Sequence, residues 1–157
     1  KKVGVIATER TVESNAFTRE LKKLDPGIKV FQASCPLLVP IVEAGEENSK
    51  ATRLILEMYL KPLKNRGIDT LILGCTHYGI LGNQIKKIIG PKVTVISEAK
   101  IVSAKLKNYL SRHPEIENRL MKTGSVRFFS TDLTKKFMSL GSKFFGKKIG
   151  AKKVSLP

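Results

Sequence analysis

Cys75, Thr76 and His77 occupy consecutive positions directly after the apolar run Leu71-Ile72-Leu73 and Gly74. A thiol, a hydroxyl and an imidazole gathered at the end of a strand can take and return protons, because thiolates are basic and imidazole titrates near neutrality. Gly74 permits a tight turn, and the helix-like segment from Ile80 to Ile89 offers its opening amides to an anion, a field that also favours a thiolate at Cys75. Two other loops follow strands in the same way. Thr8-Glu9-Arg10-Thr11 comes after the first and Cys35-Pro36 through Glu43 after the second. In a parallel sheet all three emerge at the carboxyl edge, where open α/β folds bind ligands. Cys75, His77, Glu43, Thr8 and Thr11 can therefore converge on one small molecule.

The elements that must hold these residues alternate between strand and helix. Val3 to Ala7 is a short apolar strand, Ser14 to Lys23 a helix, and Lys29 to Ala33 a second strand ended by Cys35-Pro36. The pattern predicts a long helix over Glu46 to Arg66, with Leu54, Ile55, Met58 and Leu63 on its apolar face, Pro62 bending or ending it late and Gly67 closing it. Thr70 to Leu73 and Lys92 to Ile96 are the third and fourth strands, separated by the Ile80 to Ile89 helix and the Gly90-Pro91 turn. A helix over Lys100 to Leu110 follows. Beyond His113-Pro114 the pattern predicts a strand over Ser125 to Phe129, a helix over Thr131 to Phe145 capped by Thr131 or Asp132, and a short strand over Lys152 to Leu156. The fold class is α/β: an open, mainly parallel sheet with helices on both faces, its first boundary between Ser97 and Lys100.

Composition narrows the function classes. With 157 residues, 41% of them hydrophobic, the chain suits one domain with a real core. No apolar run reaches the roughly 18 residues of a membrane helix and no signal peptide opens the chain, so a cytoplasmic location without membrane attachment is expected. The chain starts at Lys1 and enters a strand almost at once, which predicts a processed start or a piece of something longer. The net charge of +16 raises nucleic acid as a partner. The lysines are nevertheless scattered over helix faces and the tail, without an RNA-binding signature or aromatics to stack bases, and the expectation is no nucleic-acid partner.

Each candidate has a plainer role to set beside the chemical one. A cysteine after an apolar strand is commonly a small core residue; the Gly before Cys75 and the Thr-His-Tyr after it favour function there. The apolar run after Cys35-Pro36 favours packing for Cys35. Glu43 can cap the helix expected near Glu46, and Thr8 or Thr11 can be turn residues. His113, before Pro114, is expected to be exposed. No metal site is expected, because two Cys and two His at spacings of 40, 2 and 36 residues match no ligand pattern.

Gly74-Cys75-Thr76-His77-Tyr78, Cys35-Pro36-Leu37-Leu38-Val39-Pro40-Ile41-Val42-Glu43, and Gly4-Val5-Ile6-Ala7-Thr8 with Thr11, Val12 and Ser14 together resemble the C-terminal portion of the glutamate racemases, cofactor-independent members of the aspartate/glutamate racemase family. Phe129-Ser130-Thr131-Asp132, Phe137 and Phe144-Phe145-Gly146 are similar to the family's closing segment, so the resemblance covers essentially the whole chain. It implies an isomerase that interconverts L- and D-glutamate without pyridoxal phosphate or metal, supplying D-glutamate for peptidoglycan. By the same resemblance Cys75 is one of two proton-transferring thiols, assisted by His77. Thr76 and His77 orient the substrate carboxylate, Thr8 or Thr11 helps hold it, and Glu43 lies near the pocket. Ala7, Gly79 and Ser97 stand where the family usually has Gly, Pro and Asp. The partner thiol belongs to the family's N-terminal half, in a Cys-Asn-Thr context beside an Asp-Ser-Gly motif, and this sequence contains neither motif. The resemblance thus assigns residues 1–99 to the C-terminal lobe with the Cys-Thr-His site and residues 100–157 to a return segment completing the N-terminal lobe. It predicts little or no racemisation by the chain alone, and self-association or docking with the missing half. An aspartate-type racemase and a non-catalytic binding remnant are the alternatives.

Overall fold

A computed structural model describes residues 1–156. Two compact units emerge, Lys1–Asn108 and a second beginning at Tyr109, whereas the sequence pattern puts the boundary near residues 97–100.

The first unit is built on a four-stranded parallel sheet, β1 (Lys2–Ala7), β2 (Lys29–Ser34), β3 (Thr70–Leu73) and β4 (Thr94–Ser97), in the order β2-β1-β3-β4. Central β1 reads Val3-Gly4-Val5-Ile6-Ala7, apolar at successive positions, as a strand covered on both faces must be. Its alternation sorts two cores. Val3, Val5 and Ala7 pack with Ile28, Phe17 and Leu21 beneath α2 (Ala16–Leu24). Ile6 faces the larger core, formed with α3 (Leu38–Ala44), α4 (Lys50–Asn65) and α5 (Gly82–Ile89). Helices on both faces of an open parallel sheet are the expected architecture.

Several local expectations differ. The loop after β1 is largely helical: α1 (Glu9–Glu13) starts at once and is divided from α2 by Asn15, whose left-handed backbone (φ 52°) breaks the helix. The segment after Cys35-Pro36 is also a helix, because Pro40 sits in the first turn of α3, where a missing N–H costs nothing. The long helix begins at Lys50 rather than Glu46, since Ser49 Oγ accepts from the Thr52 amide and fixes the start. Its buried stripe is Thr52, Leu56, Leu60 and Leu63, while Leu54 and Met58 are 66% and 56% exposed. A window of mixed apolar residues supports more than one stripe, and the neighbouring strands and α5 select this one. Pro62 is tolerated one turn from the end, and Gly67 (φ 64°) closes the helix. Among the described residues, no helix is long and apolar enough to cross a membrane.

α6 (Glu98–Arg112) leads on from β4. The second unit has α7 (Pro114–Glu117), a two-stranded parallel sheet of β5 (Phe128–Ser130) and β6 (Ala151–Lys153), and α8 (Lys135–Phe145). α8 is capped by Thr134, whose Oγ1 accepts from the Phe137 amide, and not by Thr131 or Asp132. Ile149 is the one buried apolar residue among the described residues of this unit.

Candidate functional site

Parallel pairing brings the ends of β1, β2 and β3 to a common edge. Ile6 lies opposite Leu73 and Ala7 opposite Ser34. Thr8 therefore leaves the sheet between Cys35 and Cys75, each on a strand about 4.8 Å from β1 and two spacings from the other.

Gly74 does not act through a turn conformation, since its φ is not positive. It supplies room: a Cβ there would meet Phe17 Cε2 of α2 at 2.8 Å and Ala7 Cβ at 3.2 Å. The Gly74 amide donates to Ile6 O at 2.8 Å, holding the end of β3 against β1. Cys75 follows with extended backbone at the head of a single 3-10 turn, Thr76–Gly79. The sequence predicts a full helix start here, but α5 begins only at Gly82. One turn sums too few peptide dipoles to provide the field of a long helix. What the structure supplies instead is a neighbouring side chain.

Cys75 Sγ lies 3.9 Å from His77 Nδ1, and His77 Nε2 lies 3.6 Å from Glu43 Oε1. All three residues are half-buried. α3, the helix not foreseen in the sequence, packs on the Thr76–Gly79 turn and carries Glu43 to the imidazole. Glu43 is therefore no helix cap; it lies inside α3, while Ser49 caps α4. In the tautomer that keeps its proton on Nε2, facing the carboxylate, Nδ1 is an acceptor toward the thiol, an order of groups able to move a proton to and from sulfur.

Thr8 and Thr11 are half-buried at the end of β1, their hydroxyls paired at 2.9 Å. Thr76 is exposed. Cys35 lies wholly in the core, where burial pushes its thiol up to about 12. His113 pairs with Glu115 at 2.8 Å in the second unit. Among the described residues, no three or more His, Cys, Asp or Glu side chains are grouped to hold a metal ion.

Tyr78 acquires its role only in the fold. It is fully buried, and its hydroxyl donates to Cys35 O at 2.9 Å, tying the turn after Cys75 to the end of β2. Burial, with the nearby Cys35 and Cys75 adding, raises its phenol above the ordinary range. The signal was present as an aromatic with a polar tip inside the Gly-Cys-Thr-His-Tyr run; only its partner was hidden.

The profile of the family described as Asp/Glu/Hydantoin racemase matches residues 1–106. A glutamate racemase of Chlorobaculum parvum is 39% identical over 145 residues, which is 92% of this chain and 53% of that protein. One of Caldanaerobacter subterraneus is 40% identical over 152 residues, 95% and 56% respectively. Among solved structures, a glutamate racemase of Bacillus anthracis superposes with a TM-score of 0.84 at 35% identity, covering 99% of this chain and 58% of that one. The Francisella tularensis glutamate racemase, solved in complex with D-glutamate, gives 0.83 at 35% identity, covering 98% and 57%. The chain spans about half the length of the curated relatives it matches.

Proposed function

This chain belongs to the Asp/Glu/Hydantoin racemase family, and from that premise we propose that it is the half of a glutamate racemase that carries one of two proton-transferring thiols. The observation that carries the reading is the line from Glu43 through His77 to Cys75, with separations of 3.6 and 3.9 Å, at the carboxyl edge of the sheet. Racemisation breaks the Cα–H bond on one face of the substrate and makes one on the other. Cys75 as thiolate takes the α-proton, leaving the bond's electron pair on a carbanion delocalised into the substrate carboxylate. A thiol on the opposite face delivers its own proton to the carbon. In the reverse direction Cys75 is the donor. His77 Nδ1 exchanges a hydrogen bond with the Cys75 sulfur, and Glu43 holds the imidazole in the tautomer that allows it. Thr8, Thr11 and Thr76 are assigned to the substrate's charged ends, and pyridoxal phosphate and metal have no part in this reading.

Residues 1–99 are assigned to the lobe that carries this site, and residues 100–157 to the return segment of the other lobe, whose first part this sequence lacks. Exposed Leu106, Phe129, Phe144 and Phe145 support that assignment, since they suit burial under the absent half. A cytoplasmic setting and a supply of D-glutamate to peptidoglycan belong to the same reading. His77 favours glutamate over an aspartate-type activity, for which an acidic residue is expected at its position.

The test is circular dichroism of L-glutamate over time together with α-deuterium incorporation by NMR. The isolated chain is expected to give no inversion and at most deuterium uptake with retention. Cys75→Ser abolishes that uptake, and the missing half added in trans restores turnover. Robust inversion by the isolated chain would overturn the two-thiol account.

A further inference from the structure

The first unit carries a groove lined by none of the candidate-site residues, between the outward faces of α4 and α5, with a volume of about 760 Å³. On α4 it is lined by Lys50, Arg53, Glu57, Lys61 and Lys64, and α5 adds Lys87 from the other wall. The α4 positions recur every three or four residues and so form one stripe. Buried Leu60 and half-buried Ile88 give the groove an apolar floor.

Like charges at this spacing repel and weaken a helix. Internal contacts relieve only part of that repulsion. Arg53 Nε pairs with Glu57 Oε1 at 2.9 Å, and Lys64 Nζ donates to Ile88 O at 3.1 Å. Among the described residues, Lys50, Lys61 and Lys87 form no ion pair.

We propose that the groove between α4 and α5 binds a compact oligophosphate anion. Ammonium groups meet tetrahedral oxyanions as point charges, with no demand for a planar fork. Lys50 and Lys61 are separated by about 17 Å along the helix axis, more than a single phosphate spans, so linked phosphates reach cations that one anion leaves unmatched. Among the described residues no aromatic ring lines the groove, so none of them stacks a nucleobase, and recognition falls on the phosphate chain. The volume lies within the range of small-molecule sites. The proposal does not rest on the racemase reading, and either can fail alone.

The test is calorimetric titration of sodium triphosphate, and separately of ATP, into the full chain at 50 mM salt. One saturable site is expected, of similar affinity for both, weakening as salt is added. The triple variant Lys50→Gln, Lys61→Gln, Lys87→Gln weakens binding by roughly tenfold. A control with the same loss of charge, Lys22→Gln, Lys29→Gln, Lys92→Gln, changes it by less than about twofold. All six lysines are exposed, so both variants keep the fold, as far-UV circular dichroism checks. Equal weakening by both triples would assign the effect to diffuse charge and overturn the proposal. So would the absence of saturable binding, ATP binding tenfold tighter than triphosphate, or a single-stranded oligonucleotide outcompeting both.

Discussion

The region up to Asn108 and the region from Tyr109 are both mixtures of strands and helices, yet their apolar side chains end in different places. In the first, a four-stranded sheet is covered on both faces, and Ile6, Leu38, Leu56, Leu60, Leu71 and Leu73 are almost wholly removed from water. In the second, strands of three residues pair alone, none of Phe128, Phe129, Phe137, Phe144 and Phe145 is buried, and Phe129, Phe144 and Phe145 remain 51%, 45% and 40% exposed. A two-stranded sheet with one short and one three-turn helix has too little surface to close a core. The difference teaches that the first region carries its own reason to fold and the candidate chemistry, whereas the second leaves large apolar side chains in water.

The largest expected effect tests where the chemistry resides. In the chain assembled with the half that its relatives possess, Cys75→Ala lowers glutamate turnover by about 10²–10⁴, the usual worth of a general acid or base. Cys35→Ala leaves turnover within a few-fold of the parent assembly. A comparable loss from Cys35→Ala, read by the same dichroism assay, would move the chemistry into the core.

Alkali should destabilise the first region. The Cys35 thiol is raised to about 12 from an ordinary 9, and the Tyr78 phenol is raised as well. Both are neutral below their unfolded values, so their contribution is complete below about pH 9. It is lost as pH climbs toward the folded values, and the Cys35 part amounts to at most about 4 kcal/mol. Urea midpoints measured from pH 7 to pH 11 should fall over that window. Cys35→Ala should flatten the curve. A flat profile in the parent chain would show that neither group is desolvated.

Leu56→Ala removes a fully buried side chain from the sheet–helix core and is expected to cost about 3 kcal/mol in denaturant unfolding. Phe144→Ser in the second region should cost under about 0.5 kcal/mol in the isolated chain. Adding the half that its relatives possess sharpens the contrast: the Phe144→Ser penalty should then rise, measured as weaker docking by light scattering. If Phe144→Ser costs as much as Leu56→Ala without any partner, the second region has a core of its own and the comparison fails.

The sequence by itself determined the four strands of the sheet, their parallel order of succession and the placing of Cys75, Thr76 and His77 at a strand end. Each of these depends on neighbours along the chain: apolar runs of strand length, glycines between them, and a motif dense in reactive groups. Only the tertiary structure decided what lies more than a few residues apart. Helical spacing in α4 admitted a stripe through Leu54, Met58 and Leu63, and the packed neighbours kept Leu63 but chose Thr52, Leu56 and Leu60 over Leu54 and Met58. Glu43 read equally well as a cap until α3 formed and met the turn after Cys75, across the 34 residues that separate Glu43 from His77. Tyr78 and Cys35 are joined by a hydrogen bond that spans 43 residues, and the thiol of Cys35 is pushed up by a core that exists only once the sheet is covered. Periodicity reports which residues share a face; it carries no information about what that face will meet, because contact and burial are properties of the closed sheet and not of any segment within it.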